Sequence, residues 1–325
     1  MRAYVIRRIL VLIPTILMVT LIIFFLIRLI PGDLVDMIQA QSIDSAVDRE
    51  ALEEALGLDA PLIVQYGRWL GVVPQPDGKF RGLFQGDLGS SAWQKMPVTT
   101  LVSKKWPVTL ELGIMGLLVS QLIALPIGMA SALRRNTWVD YVGRTFAILC
   151  ISVPGFWLGT MIIVFPALWW GYMPPIMLIT FKQDIIGNLK MFIIPALVLG
   201  MAMSGMTMRM TRTMMLEVLR QDYIRTAWSK GLRERVITVR HALKNALIPV
   251  VTIIGFQVPV LIGGTVIVEQ IFSLPGMGRL LVEASLKRDY WLISGIILIF
   301  SLGLVFVNLV IDVSYAYLDP RIHYR

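Results

Sequence analysis

The sequence predicts an all-α integral membrane protein with six transmembrane helices and both ends in the cytoplasm. Three observations carry that reading. The 325 residues are 56% hydrophobic and only 16% charged, with a mean hydropathy of +0.73, outside the range of soluble globular chains. Uncharged runs of membrane-crossing length alternate with short charged segments. The four short segments that six spans leave inside carry three, three, nine and two of the 30 Lys/Arg, the asymmetry that the positive-inside rule demands.

Arg2, Arg7 and Arg8 precede the uncharged run Ile9–Ile27. About 20 residues at 1.5 Å rise cross a hydrocarbon core of about 30 Å. The run is too long for a signal-peptide core and no small-residue cleavage site follows, so a retained first helix is expected; Pro14 is tolerable inside a bundle. Residues 31–105 form the one large polar segment, with ten acids against four basic residues between Asp33 and Asp87. It is expected outside, as an extracytoplasmic subdomain between helices 1 and 2, with a short amphipathic helix at Ser45–Leu56 and a turn-rich stretch at Val72–Phe80.

Residues 106–325 form the five-helix remainder. The second span is expected at Leu112–Leu133, followed by the basic turn Arg134-Arg135-Asn136 with Arg144 nearby. Thr145–Phe181 is uncharged for 37 residues, read as a third span to about Pro166 and then an aromatic outer segment (Trp169, Trp170, Tyr172, Pro174, Pro175) at headgroup level. Met191–Met208 is the fourth span and Asn245–Val268 the fifth. The fifth is rich in Pro249, Gly255, Pro259, Gly263 and Gly264; such residues serve close packing or a moving helix that lines a pathway, and Pro259, Gly263 and Gly264 are the candidates for lining. Glu269–Asp289 returns outside, Tyr290–Ile311 is the sixth span, and Asp319–Arg325 lies inside.

Composition also excludes chemistry. One cysteine, Cys150, rules out an internal disulfide, and two histidines are too few for a histidine-rich metal site. The formal charge of +9 belongs to membrane-flanking segments, so topology accounts for it and nucleic acid is not an expected partner. No G-x-x-x-x-G-K-[ST], H-E-x-x-H or G-x-S-x-G occurs, so the chain has no phosphate-binding loop of its own and no supported hydrolase site. Glu111, Glu269 and Asp312 all fall near expected helix ends, where pairing suits them better than ion transport at the midplane.

The informative stretch is Asp222–Pro249, DYIRTAWSKGLRERVITVRHALKNALIP, within the loop 209–245. Arg209–Lys244 holds nine Lys/Arg against three acids. Tyr223, Ile224, Ala227 and Trp228 share one stripe of a short helix, and Gly231 follows where a helix would end. A helix with an apolar stripe and basic flanks seeks either lipid headgroups or a soluble protein.

This stretch resembles the EAA loop of ABC importer permeases. Arg225-Thr226-Ala227 stands at the triplet, Gly231 at the following glycine, and Pro249 closes the stretch. Arg225 in place of Glu and the distant Pro249 are similar to the dipeptide/oligopeptide/nickel branch. So are LIRLIPGD (Leu26–Asp33), LGLDAP (Leu56–Pro61), GDLGSS (Gly86–Ser91), TLELG (Thr109–Gly113), FSLPGMGR (Phe272–Arg279) and DPRI (Asp319–Ile322). The resemblance implies a type I ABC importer permease fold in a prokaryotic inner membrane. It implies a homologous second permease, two ATPase subunits that use ATP and Mg, and an extracytoplasmic solute-binding protein; no cofactor is expected on this chain. It places ATPase docking at Tyr223, Ile224, Arg225, Thr226, Ala227, Lys230 and Gly231, with Arg233, Arg235, Arg240, His241 and Asn245 orienting the loop. Di- or oligopeptides are the implied cargo, with nickel chelates, glutathione and oligosaccharides as branch alternatives. An ion-coupled carrier acting alone is the competing class, and a scaffold with a lipid-binding basic loop a third.

Overall fold

The computed structural model describes residues 2–28, 59–171 and 177–318. The expected helix Ser45–Leu56, the residues Tyr172, Pro174 and Pro175, and the C-terminal Asp319–Arg325 lie outside them. Every long element is helical: α1 Arg2–Arg28, α2 Leu62–Leu70, α3 Val98–Leu133, α4 Trp138–Ser152, α5 Gly155–Trp170, α6 Ile185–Val218, α7 Asp222–Ser229, α8 Glu234–Ile271, α9 Met277–Leu286 and α10 Tyr290–Leu318.

Among the described residues four helices, α3, α6, α8 and α10, are long and apolar enough to cross a membrane, and the pair α4–α5 makes a fifth if taken as one span. α1 contributes a shorter apolar stretch, Leu10–Leu26. Helix ends outrun the uncharged runs that announce them. α3 has 36 residues, about 54 Å at 1.5 Å per residue; it starts at Val98 rather than Leu112, because Lys104 and Lys105 continue the helix beyond hydrocarbon depth. α6 likewise exceeds Met191–Met208 at both ends, starting where the Asp184 carboxylate accepts the Ile186 amide at 3.0 Å, an N-cap.

The expected continuous third span, Thr145 to Pro166, is not continuous. α4 and α5 meet at an angle of 92° across Val153-Pro154. Proline has no N–H and its ring disfavours helical backbone in the preceding residue, and Val153 is extended at ψ 119°.

The chain divides into two compact units, Val108–Arg279 with the chain from Phe306, and Arg2–Pro107 with Leu280–Val305. The core of the first is Leu112, Phe192, Val198, Leu199, Leu261 and Phe272, all buried, with α6 and α8 in the most extensive contact. Small residues bring the helices close: a Cβ on Gly200 would stand 2.7 Å from the Gly116 carbonyl, and one on Gly205 2.6 Å from that of Ala147. The buried Gln257 of α8 donates to the Met203 carbonyl and the Thr207 hydroxyl of α6, both at 2.9 Å.

In the second unit α1 holds α2. Thr20 and the Tyr66 hydroxyl are hydrogen-bonded at 2.8 Å, Arg28 donates to Gln65 at 2.7 Å, and Phe24 meets the Tyr66 ring edge-on at 5.2 Å. The Gly86–Ser91 turn lies on the start of α10: the Ser91 hydroxyl donates to buried Asp289, and a Cβ on Gly89, whose φ is +80°, would press within 2.8 Å of Trp291.

Candidate functional site

α7 is a helix of eight residues held by half of its own apolar stripe. Ile224 is 1% exposed and Ala227 6%, packed with Ala132 of α3, Met215 of α6, and Ile237, Ala242 and Ala246 of α8. Burying the isoleucine side chain is worth about 1.5–3 kcal/mol. The other half points away: Tyr223 and Trp228 are exposed, as are Arg225, Thr226 and Lys230. The stripe read from the sequence therefore splits between a foot set in this chain and an open face.

Hydrogen bonds complete the foot. Asn245 donates to the Tyr223 hydroxyl at 2.8 Å and to the His241 carbonyl at 3.0 Å, and the Tyr223 hydroxyl reaches the same carbonyl at 3.4 Å. Of the expected orienting residues, Asn245 and His241 join α7; Arg233, Arg235 and Arg240 are exposed. Asp222 in the first turn complements the helix dipole and sits 3.4 Å from Arg225, a solvated pair worth little. Gly231 ends the helix with φ +73°, the left-handed backbone that glycine adopts without penalty.

The start of α8 is wound as a π-helix over Ile237–Leu243, which nothing in the sequence announced. Bonding from i to i+5 makes residues five apart neighbours on one face. That is how Ile237 and Ala242, both 0% exposed, press together against α7, with Ala246 a turn further on.

Beside this foot lies a charged junction that sequence reading missed. Asp140, in the first turn of α4, is fully buried. Its oxygens accept Nε and Nη2 of Arg212 on α6 at 2.7 and 2.8 Å, the Ser131 hydroxyl of α3 at 2.7 Å and the Asn136 amide at 3.0 Å. Arg144 stands 3.6 Å away. The two-pronged guanidinium–carboxylate geometry is the strong form of this bond. Ser131 and Arg212 lie one residue and one turn from Ala132 and Met215 of the foot, so the junction braces the helix ends on which α7 stands. The available signal was a single acid five residues beyond Arg135.

The pathway candidates separate. A Cβ on Gly264 would meet Leu199 at 2.8 Å, which makes it a packing glycine, whereas Gly263 opens onto free space; Pro259 is half-buried within α8. At the far end of α8, buried Glu269 accepts the Thr109 hydroxyl at 2.6 Å and the Arg279 amide at 3.0 Å, and Thr109 in turn accepts the Met277 amide at 2.8 Å. Gly276 leaves room for that carboxylate, since a Cβ there would fall 2.3 Å from it. Glu269 thus has a pairing role at the start of α9.

Residues 124–324 match the family model described as binding-protein-dependent transport system inner membrane component, and residues 1–113 match the N-terminal model of the same kind of transport-system membrane component. The chain belongs to that family. This permease is similar along its whole length to curated proteins. It is 37% identical over 325 residues, 100% of both chains, to a putative peptide transport system permease protein of Brucella suis biovar 1 (strain 1330). It is 37% identical over 322 residues, 99% of each chain, to the glutathione transport system permease protein of Pectobacterium atrosepticum, and 38% identical over the same length and coverage to that of Salmonella typhi. Among solved structures, that titled "Crystal structure of an amino acid ABC transporter with histidines" aligns with a TM-score of 0.52 at 14% identity, covering 67% of this chain and 94% of that one. It shares the fold. The permease is accordingly a multi-pass inner-membrane component of an ABC importer, works with a substrate-binding protein, and leaves ATP hydrolysis to ATPase subunits.

Proposed function

We propose that this permease forms half of the translocation pathway of a di- or oligopeptide importer, paired with a homologous second permease, and that α7 docks in a groove of a cytoplasmic ATPase subunit. The carrying observation is the division of α7. A coupling element must be rigid toward its own spans and open toward its partner, since only a change in differential affinity can move the spans. Ile224, Ala227, Asn245 and His241 supply the first; Tyr223, Arg225, Thr226, Trp228 and Lys230 offer the second, with Gly231 turning the chain away. The proposal carries six spans with both termini inside, an extracytoplasmic subdomain over residues 31–105, and Gly263 and Pro259 beside the pathway. Peptide cargo rests on the peptide and glutathione relatives.

Trp228→Asp, at an exposed site, tests the docking face. The full chain should insert and purify normally, while the ATPase subunits co-purifying in mild detergent fall sharply and import stops. Wild-type import by this variant refutes the docking assignment. A lone chain that transports in liposomes under an ion gradient would instead establish the carrier reading.

A further inference from the structure

The cluster that seats α7 is drawn from α3, α6 and α8, so a displacement of α7 has to reach α4 and α5 through those helices. α4 lies against α6 at two levels. At the first, a Cβ on Gly205 would fall 2.6 Å from the Ala147 carbonyl and 3.2 Å from the Cys150 Cβ, which leaves no room for a side chain between them. At the second, Arg212 grips Asp140 with both prongs at 2.7 and 2.8 Å. The levels are seven residues apart on both helices, Gly205 to Arg212 and Ala147 to Asp140, about 10.5 Å at 1.5 Å per residue. Close packing alone is non-directional and lets one helix turn on the other. A forked guanidinium–carboxylate pair fixes direction as well as distance. Together the two contacts set the angle between α4 and α6.

Asp140 holds more than its partner arginine. Its other bonds, from the Ser131 hydroxyl of α3 at 2.7 Å and the Asn136 amide at 3.0 Å, tie in the α3–α4 turn, where Asn136 takes φ +61°. From Asp140 the helix α4 runs unbroken to the elbow at Val153-Pro154. We infer that Asp140 is a positioning residue of the transport cycle: it locks α4 to α6 as one lever, so that a displacement of α7 by the ATPase is delivered to the elbow, where α5 begins. Element ends of this kind are the hinges that absorb backbone change between rigid bodies. The direction of the Asp140–Arg212 bonds, more than the burial around them, makes the lever stiff. The inference rests on the docking of α7 proposed above.

The test is amide exchange of the full chain, purified with its ATPase subunits, with and without ATP, Mg and vanadate. Mass spectrometry reads it at α7 (Asp222–Ser229) and at the elbow (residues 153–158). In the wild type both regions should change their exchange when nucleotide binds. Asp140→Leu with Arg212→Met keeps the junction packed while removing the directed bonds, and Arg212→Lys keeps the charge while removing the fork. In both variants α7 should respond as in the wild type. The elbow response should be lost in the double variant and reduced in Arg212→Lys. Melting temperature is read alongside, because a merely structural role would move melting and elbow response together. Loss at the elbow only in step with lowered melting overturns the lever, as does a full elbow response in either variant. A wild-type elbow that ignores nucleotide overturns it as well. An α7 that ignores nucleotide while the elbow responds refutes the docking instead, and the same comparison of variants still decides the lever.

Discussion

Asp140→Leu is expected to be the most damaging single substitution in the charged junction beside α7. The carboxylate is 0% exposed and accepts from Arg212 through both prongs, from Ser131 and from the Asn136 amide. Removing one partner of a buried pair costs about 3–5 kcal/mol, because a charge is stranded. The Arg212 side chain is 19% exposed and can extend toward water, which places the loss near the lower figure, about 3 kcal/mol. Arg212→Met should cost less, about 2 kcal/mol, since Arg144 is already 3.6 Å from the carboxylate and can close on it. The double variant Asp140→Leu with Arg212→Met should recover most of the loss, as apolar replacements of buried pairs do. The assay is thermal melting of purified protein in one detergent, followed by monodispersity after heating. Asp140→Leu should fall by roughly 6–12 °C, taking about 2–4 °C per kcal/mol. Additive single losses in the double variant would refute the pairing argument, and a greater loss for Arg212→Met than for Asp140→Leu would refute the role given to Arg144.

Other expectations concern single sites. Gly200→Ala should destabilise by about 1–3 kcal/mol through overpacking against the Gly116 carbonyl, whereas Gly263→Ala, facing free space, should melt as the wild type does. Ile224→Ala should loosen α7 by about 2–5 kcal/mol, seen as faster amide exchange across Asp222–Ser229 with α3 and α6 unchanged; unchanged exchange on α7 would contradict its burial. Glu269→Ala removes the acceptor for the Arg279 amide and the Thr109 hydroxyl, at about 1.5–3 kcal/mol for bonds to a charged group, and should expose the Phe272–Arg279 turn to limited proteolysis.

What was legible in the sequence followed from periodicity and punctuation. Tyr223, Ile224, Ala227 and Trp228 mark α7 by spacing, and Gly231 marks its end. The same spacing could not say which half of the stripe the chain keeps for itself, because that depends on Ala132, far away in sequence, and on how the end of α6 brings Met215 back against it. Asp140 and Arg212 are 72 residues apart. Alone, the arginine reads as one more positive-inside charge, and only the approach of α4 to α6 turns it into a pair. Hydropathy located the apolar runs but blurred their ends, since Lys104 and Lys105 prolong α3 without being apolar. The break in the third span had a local signal, Pro154-Gly155, submerged in a run of 37 uncharged residues. The π-helical start of α8 had none, being a response to the need to bury Ile237 and Ala242 together.

The elbow at Val153-Pro154 has its own consequence for what can surround the third span. The first amides of α5 have no carbonyl a turn earlier to receive them, and no side chain caps Pro154. On the other side of the bend the last carbonyls of α4 lose their amide partners in the same way. Acyl chains offer nothing to such groups, and leaving each one bare in hydrocarbon costs several kcal/mol. The corner of this span therefore belongs against water or against another polypeptide. Hydrocarbon alone cannot line this span at the bend.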